Sequence, residues 1–148
     1  MKENTVIKSI VVKDLEENYI NLMKDYKNKN LLLIIYNNQC LGCTGRAIPL
    51  AYEFKNNFDN ITVIGIHTNF GIKKTSVQDI KSIFTSGELP FPIYLDEDAS
   101  VYNQFESMGT PQWLIITKDG KLYRSIFGSQ EGAQNRLSYA IASLKESY

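Results

Sequence analysis

Three short stretches of the chain are apolar at nearly every position. Residues 31–36 read Leu-Leu-Leu-Ile-Ile-Tyr, and residues 61–66 and 113–117 are similarly rich in β-branched or aromatic side chains. A continuous apolar run of this length, bounded by polar turns, is typical of a strand that is covered on both faces. The pattern therefore predicts a sheet with central strands at these positions.

Helical spacing of apolar residues separates the predicted strands. Asp14 is a suitable N-cap for a helix over 14–27, and residues 40–58 have a mostly helical spacing that Pro49 should kink or restart. Further helices are predicted over 76–84, 99–105 and 131–148, and shorter strands over 5–12 and 92–95. Asp119-Gly120 is a turn signal, so residues 122–127 should return antiparallel to the strand before them.

The order of these elements predicts the fold class. Early strands and helices alternate, which implies parallel strands with right-handed crossovers, and the late hairpin adds antiparallel strands. We therefore expect an α/β protein with a central mixed sheet of about five strands and helices on both faces. No internal repeat, low-complexity tract or linker is visible, so residues 1–148 are interpreted as a single domain.

Composition narrows the classes of function. The chain has 148 residues, 43% of them hydrophobic, and carries 16 basic and 16 acidic residues for a formal net charge of zero. A duplex nucleic-acid binder or a polybasic membrane-surface protein would show a basic excess. The longest apolar run is also far shorter than the roughly 20 residues of a spanning helix. We expect a monomer with no nucleic-acid partner and no membrane span.

The first residues contain no signal-peptide pattern, because Lys8 and Ser9 interrupt the only apolar patch there. We therefore expect a cytoplasmic protein, although a chain trimmed of its export signal would look the same. The chain has two cysteines, Cys40 and Cys43. In a reducing cytoplasm this pair is not expected to form a structural disulfide bond. A disulfide between residues so close in the chain would also restrict the unfolded chain little.

The cysteine pair carries the main functional signal. It forms a Cys-x-x-Cys motif after the strand at residues 31–36 and at the start of a predicted helix, which is a redox signature. Unpaired N–H groups and the helix dipole at a helix N-terminus favour a thiolate. A thiol with a pKa of about 8.5 is only ~3% ionised at pH 7, whereas a pKa of about 7 ionises half of it. Cys40 is therefore predicted to be the nucleophile, and Cys43, one turn further on, the resolving thiol.

Other roles are open to a cysteine pair. The two residues could be plain core residues, and a zinc site would need two more ligands, although His67 is the only histidine in the chain. Haem attachment is excluded, because Thr44 rather than His follows the pair. We expect no metal, and no cofactor other than a redox-active Cys40–Cys43 disulfide.

Four segments of the chain occur in a characteristic order: Cys40-Leu-Gly-Cys43, Thr62-Val-Ile-Gly-Ile-His67, Phe91-Pro-Ile-Tyr-Leu-Asp96, and Gly109-Thr-Pro111 followed by Trp113-Leu-Ile-Ile-Thr-Lys-Asp-Gly120. In these segments the chain resembles thioredoxin-fold proteins, and more narrowly the TlpA/ResA-like thiol–disulfide oxidoreductases, over residues 5–143. The resemblance implies a thioredoxin-like fold. It also implies exchange with a disulfide-containing protein or small molecule, and an upstream thiol reductant as a partner.

The same resemblance implies that the Thr110–Pro111 peptide bond is cis and faces the cysteines. The backbone of Thr110 would then pair with an extended substrate segment, in which main-chain hydrogen bonds give affinity without reading sequence. Gly109 and Gln39 are assigned to the same substrate-binding edge. Gln39 stands where the family usually has Trp before the first cysteine.

The chain departs from the family's pattern around the cysteines. Gly42 stands where a proline often precedes the second cysteine, Ile34 where thioredoxins have a buried acid, and Arg46 where the ResA-like group often has Glu. Pro49 follows Cys43 by six positions, whereas five is the common spacing. The usual carboxylate that deprotonates the second cysteine therefore has no obvious counterpart.

Three residues are candidates for tuning the thiols. His67 is predicted at the carboxyl edge of its strand, where ligands bind in open α/β sheets, and could shuttle protons or simply cap the strand. Arg46 could favour a thiolate as a nearby cation, or could be a solvated helix residue. Tyr36 could pack beside the active site or belong to the core.

The leading prediction is a thiol–disulfide oxidoreductase. A thiol peroxidase of the peroxiredoxin type is the alternative enzyme, but no Pro-x-x-x-Thr-x-x-Cys pattern surrounds Cys40. A non-catalytic redox-sensing or binding domain would use the same groove, and it predicts an unexceptional pKa for Cys40.

Overall fold

The computed structural model describes residues 1–147 and the side chains of residues 1–144, so residue 148 of the predicted C-terminal helix lies outside the described residues. The elements of this part of the chain are β1 (Val11–Lys13), β2 (Tyr19–Asn21), α1 (Leu22–Asp25), β3 (Leu31–Tyr36), a π-helical turn (Cys43–Ala47), α2 (Ile48–Asn57), β4 (Thr62–Thr68), α3 (Val77–Lys81), β5 (Ile93–Asp96), α4 (Ser100–Gln104), β6 (Gln112–Ile116), β7 (Leu122–Phe127) and α5 (Glu131–Ser147).

The strands form one mixed sheet in the order β2-β1-β5-β4-β3-β6-β7. β3, β4 and β5 are parallel, whereas β6 and β7 form an antiparallel hairpin beside β3. The predicted parallel crossovers and the late hairpin are therefore confirmed.

Helices cover the sheet on both faces, which explains why all six residues of β3 are buried. Leu32, Ile34 and Tyr36 belong to a core cluster that includes apolar residues of α2 and α5. The alternate residues of β3 belong to a second cluster, with α4 and the N-terminal segment on the opposite face. A strand buried on both faces needs an apolar side chain at every position, because successive residues point to opposite sides.

The sheet has seven strands, so the expectation of about five strands is wrong. The difference arises at the edge, where β1 pairs antiparallel with both β2 and β5. β1 and β2 have three residues each, which is too few for a period-two pattern to identify. The predicted strand over 5–12 is also largely wrong, because only its last two residues belong to β1, and Val6 forms an isolated bridge with Lys121.

The predicted helix over 14–27 is wrong except at residues 22–25, which form α1. Asp14 closes the turn between β1 and β2: its carboxylate accepts the N–H groups of Glu16 and Asn18, both at 2.9 Å. Glu17 in this turn has a left-handed φ of 69°. Asp14 therefore uses the same capping chemistry in a hairpin that it was expected to use at a helix N-terminus.

A π-helical turn precedes α2, and the N–H of Ile48 donates to the carbonyl of Cys43, five residues earlier. Pro49 lies in the first turn of α2, where its missing N–H needs no helical partner. The start of α2 at Ile48 agrees with the expectation that Pro49 kinks or restarts the helix. The wider π-helical turn takes up the additional residue between Cys43 and Pro49.

Candidate active site

The two cysteines lie where β3 ends and a helical segment begins. A loop of residues 37–39 leaves β3, and residues 41–42 form the first helical turn ahead of the π-helical turn. The carbonyl oxygen of Cys40 accepts the N–H groups of Cys43 and Thr44, at 3.1 and 3.2 Å. Cys40 therefore occupies the N-cap position of this helical segment, where backbone N–H groups are free to bind an anion.

The Cys40 sulfur is held by backbone groups. It accepts the N–H of Cys43 at 3.2 Å and lies 3.5 Å from the carbonyl oxygen of Thr110. Partial burial alone would raise the pKa of Cys40. Hydrogen bonds with the side chains of Cys43 and Thr110 and with the backbone N–H groups of Cys43 and Gly42 outweigh that effect, so the pKa lies below the ordinary thiol value.

Cys43 has the opposite environment. Its side chain is fully buried, in the core cluster shared by β3 and α2. Burial, and next the hydrogen bond to the Cys40 sulfur, raise the pKa of Cys43 to about 12. Both cysteines are free thiols in the structure. The pair therefore combines one thiol that ionises readily with a second that stays protonated.

The Thr110–Pro111 peptide bond is cis, as the resemblance implies, and the carbonyl of Thr110 faces the Cys40 sulfur. Gly109, with φ of 156°, packs against the Phe127 ring, whose Cε1 lies 2.9 Å from where a Cβ would stand. Met108 is 79% exposed, and Leu41, next to Cys40, is 87% exposed. Leu41 directly follows Cys40 in the chain, and Met108 precedes Thr110 by two residues, so both exposed apolar side chains are close in sequence to the two segments that meet at the sulfur.

Gln39 and Arg46 both face solvent. The backbone N–H of Gln39 donates to the Asn37 side chain at 2.7 Å. Arg46 lies in the π-helical turn, three residues after Cys43. Its role as a cation that favours a thiolate stays a prediction.

Tyr36 and His67 lie side by side on the same face of the sheet as Cys43, with ring centroids 5.2 Å apart in an edge-to-face arrangement. Gly65, beside them, leaves room for the Tyr36 ring, whose Cε1 is 3.4 Å from the position of an added Cβ. Burial, and then the charge of Cys43, raise the pKa of Tyr36. Burial lowers the pKa of His67 to about 4, so its imidazole is neutral at pH 7.

Two further residues, Asn37 and Asn38, contribute to the site and were missed from the sequence. The Asn37 side chain donates to the Thr68 carbonyl at 2.7 Å, and the N–H of Asn38 donates to Nε2 of His67 at 3.1 Å. Asparagine residues directly after a buried strand are a signal for such turns. The groups to which Asn37 and Asn38 are bonded lie about 30 positions further along the chain, so the local sequence could not identify them.

The fold and the site together define a thioredoxin-fold protein with a Cys-x-x-Cys motif beside a cis-proline loop. The chain belongs to the AhpC/TSA family, whose sequence model matches residues 4–125. The thioredoxin-like fold that the resemblance implies is therefore confirmed.

Two curated relatives carry the same name in two species. NHL repeat-containing protein 2 from Gallus gallus is 25% identical over 124 residues, and its Homo sapiens counterpart is 24% identical over the same length. The match covers 82% of this chain but only 17% of either relative.

Solved structures share the fold over nearly the whole chain. A Chlorobium tepidum protein assigned as a thiol:disulfide interchange protein DsbE has a TM-score of 0.81 and 12% identity, covering 97% of this chain and 98% of its own. A thiol-disulfide isomerase from Corynebacterium glutamicum has a TM-score of 0.76 and 18% identity, with coverage of 95% and 96%. The exposed lipoprotein thioredoxin of Streptococcus pneumoniae has a TM-score of 0.71 and 18% identity, with coverage of 92% and 99%. At these identities the likeness shows the fold.

The described part of the chain has neither a membrane-spanning helix nor a cluster of metal-ligating side chains. No helix within residues 1–147 is long and apolar enough to cross a membrane. The same part of the chain contains no group of three or more His, Cys, Asp or Glu side chains that could hold a metal ion.

Proposed function

We propose that the protein is a thiol–disulfide oxidoreductase with Cys40 as nucleophile and Cys43 as resolving thiol. One observation carries the proposal: the Cys40 sulfur caps a helical segment and accepts the N–H of Cys43 at 3.2 Å. Backbone N–H groups at a helix N-terminus stabilise a thiolate, which is the reactive form of cysteine. A second thiol lies within hydrogen-bonding reach of that sulfur.

The reaction follows from this arrangement. The Cys40 thiolate attacks one sulfur of the substrate disulfide, the substrate S–S bond breaks, and the second substrate sulfur leaves as a thiolate that takes up a proton. Cys43 then loses its proton and attacks the Cys40 sulfur. This step releases the other substrate thiol and leaves a Cys40–Cys43 disulfide. An upstream thiol reductant supplies the two electrons and two protons that restore the dithiol.

The raised pKa of Cys43 suits its role in this sequence. Burial is the largest cause of the raised Cys43 pKa, and the hydrogen bond to the Cys40 sulfur and the charge of that sulfur raise it further. The last two causes are removed once Cys40 is bonded to the substrate, because the mixed disulfide carries no charge. The resolving thiol therefore becomes easier to ionise only after the first step.

Substrate contacts fall on the residues around Cys40. The backbone of Thr110 pairs with an extended substrate segment. Gly109 belongs to the same loop, where the absence of a side chain leaves room for the Phe127 ring. Leu41 and Met108 offer apolar surface beside the sulfur, and Gln39 borders it on the loop side. These features suit a disulfide within a polypeptide that has apolar neighbours.

The direct test is reduction of insulin disulfides, with a small dithiol to recycle the protein. Cys40→Ser should abolish turnover because it removes the nucleophile. Cys43→Ser should stop at a mixed disulfide, which mass spectrometry detects as a covalent adduct on Cys40. Gly45→Ala is the control, because the added methyl on the exposed turn meets open space.

A parallel assay with hydrogen peroxide separates the alternative enzyme class. We expect insulin reduction without peroxide turnover. Peroxide consumption that depends on Cys40, without insulin reduction, would replace the proposal by a thiol peroxidase. Equal residual turnover in the two cysteine variants would refute the assigned roles.

A further inference from the structure

The loop of residues 37–39 is attached to the carboxyl end of β4 by two hydrogen bonds. The side chain of Asn37 donates to the carbonyl of Thr68 at 2.7 Å. The backbone N–H of Asn38 donates to Nε2 of His67 at 3.1 Å. Two neighbouring strands therefore hold the short segment that leads to the nucleophile.

Hydrogen bonds within the loop connect these two contacts to the backbone of Cys40. The side-chain oxygen of Asn37 accepts the backbone N–H of Gln39 at 2.7 Å. The backbone carbonyl of Asn37 accepts the backbone N–H of Cys40 at 3.0 Å. The position of the Cys40 backbone thus depends on where the loop is fixed. Its sulfur must in turn meet the Cys43 N–H and the Thr110 carbonyl, so a small displacement of the loop would disturb both contacts.

His67 is unusual among the groups that fix the loop. Its side chain is only 4% exposed, and its Nδ1 is buried with no hydrogen-bond partner. A buried polar atom without a hydrogen-bond partner costs free energy. An apolar side chain would avoid this cost, so packing alone does not explain a histidine at this position. Of its two ring nitrogens, the one that is satisfied is the one that accepts from the loop.

We propose that His67 is a positioning residue, whose Nε2 holds the Asn38 amide and thereby fixes Cys40 where its sulfur caps the helical segment. This inference rests on the proposed function for its purpose, but it concerns the geometry of Cys40 alone. It requires a neutral imidazole with the proton on Nδ1, because a protonated ring has no lone pair for the Asn38 N–H. With Nε2 engaged in this way, the ring is not free to shuttle protons to the cysteines.

The test is the pH dependence of Cys40 alkylation by iodoacetamide, which reports on the Cys40 thiolate without any substrate turnover. His67→Phe keeps an aromatic ring but removes the acceptor. We expect its alkylation profile to move to higher pH and its rate at pH 7 to fall roughly tenfold, the effect of a one-unit rise in pKa. His67→Gln, whose amide oxygen can accept the Asn38 N–H, should restore most of the rate.

Tyr94→Phe is the matched control. It removes the 2.6 Å hydrogen bond between the Tyr26 and Tyr94 hydroxyls, beside the second core cluster and away from the cysteines. It should leave the alkylation profile unchanged, even if it lowers the melting temperature. A His67→Phe profile that matches wild type, or a His67→Gln profile no better than that of His67→Phe, would overturn the proposal.

Hydrogen exchange decides the case in the wild-type protein if His67→Phe does not fold. The Asn38 amide should exchange roughly 100-fold or more slowly than an unstructured amide, because it is held by the imidazole. Exchange at the unstructured rate would overturn the proposal. If insulin is not reduced but these results hold, the proposed function fails while the positioning role of His67 stands.

Discussion

Cys40 and Cys43 are chemically identical residues three positions apart, yet the structure gives them opposite acid strengths. The sulfur of Cys40 meets backbone N–H groups at the first helical turn, whereas that of Cys43 points into the apolar layer between β3 and α2. Hydrogen bonds to the charged form lower a pKa, and burial of a thiol raises it. The difference between the two pKa values therefore follows from the position of each sulfur relative to the helix end.

This asymmetry predicts the order of chemical modification. Iodoacetamide at pH 7 should alkylate Cys40 and leave Cys43 untouched, because the pKa of Cys40 is lowered and that of Cys43 is raised to about 12. The Cys40 rate should reach its plateau at a lower pH than that of a free thiol. Peptide mass mapping over a pH series measures both residues, with urea-unfolded protein as the control in which the two react alike. Modification of Cys43 first would reverse the assignment.

At the scale of elements, the helix after the cysteines consists of two parts with different geometry. The π-helical turn contains one residue more than an α-helical turn would, and α2 continues with regular spacing and buries Leu50, Ala51 and Phe54. A π-helical turn of this kind places the extra residue without changing the faces of the helix before and after it. The apolar face of α2 and the position of the cysteines can therefore both be maintained.

Deleting one residue should have very different effects in the two parts. Deletion of Gly45 should convert the π-helical turn to α-helix with little loss of stability, since it also removes a glycine from a helix interior. Deletion of Glu53, an exposed residue of α2, should rotate Phe54 by about 100° relative to Leu50 and Ala51. The free energy of unfolding should then fall by about 3 kcal/mol or more, as for loss of a buried Phe.

Urea denaturation with circular dichroism measures both deletions. The control is the Gly45→Ala protein, which keeps the chain length and should be as stable as wild type or slightly more so. If deletion of Gly45 lowers the free energy of unfolding as much as deletion of Glu53 does, the π-helical turn is required for stability, contrary to this prediction.

For the whole molecule, the carboxyl edge of the parallel strands brings together groups far apart in the chain. His67 from β4, the loop after β3 and the Thr110–Pro111 segment before β6 meet around Cys40. His67 is buried in this arrangement as a neutral side chain. Its titration is therefore linked to the stability of the entire fold.

The linkage predicts a loss of stability in mild acid. Burial lowers the pKa of His67 to about 4, from the value of 6.5 that it has in the unfolded chain. Between these two pH values the unfolded state binds a proton that the folded state does not, so stability is full above pH 6.5 and falls toward pH 4. The shift corresponds to about 3 kcal/mol.

Urea denaturation of wild type and His67→Gln between pH 7 and pH 4.5 tests this prediction. The wild-type free energy of unfolding should decrease steadily over that range, and the decrease should be smaller in His67→Gln. Restricting the range avoids the titration of Asp14, Asp79, Asp98 and Asp119, whose pKa values are lowered from 3.8. Parallel curves for the two proteins would show that His67 is not the group responsible.

Much of this molecule could be predicted from local patterns. β3 was predicted at its observed bounds, and the hairpin of β6 and β7 was recognised from its turn. The Cys-x-x-Cys motif could be singled out because its chemistry lies in the residue types, and the Thr110–Pro111 segment because of the family resemblance. In each case the residues that determine the feature are only a few positions apart, or the feature depends on burial that a run of apolar residues already indicates.

Other features were decided only by tertiary structure. β2 is a strand because it pairs with β1, which in turn pairs with β5, whereas the local sequence of β2 equally suits a capped helix. The pKa difference between the cysteines depends on which sulfur is buried, and the attachment of Asn38 to His67 joins residues 29 positions apart. Burial and long-range hydrogen bonds are properties of the assembled chain, so no short segment of the sequence contains them.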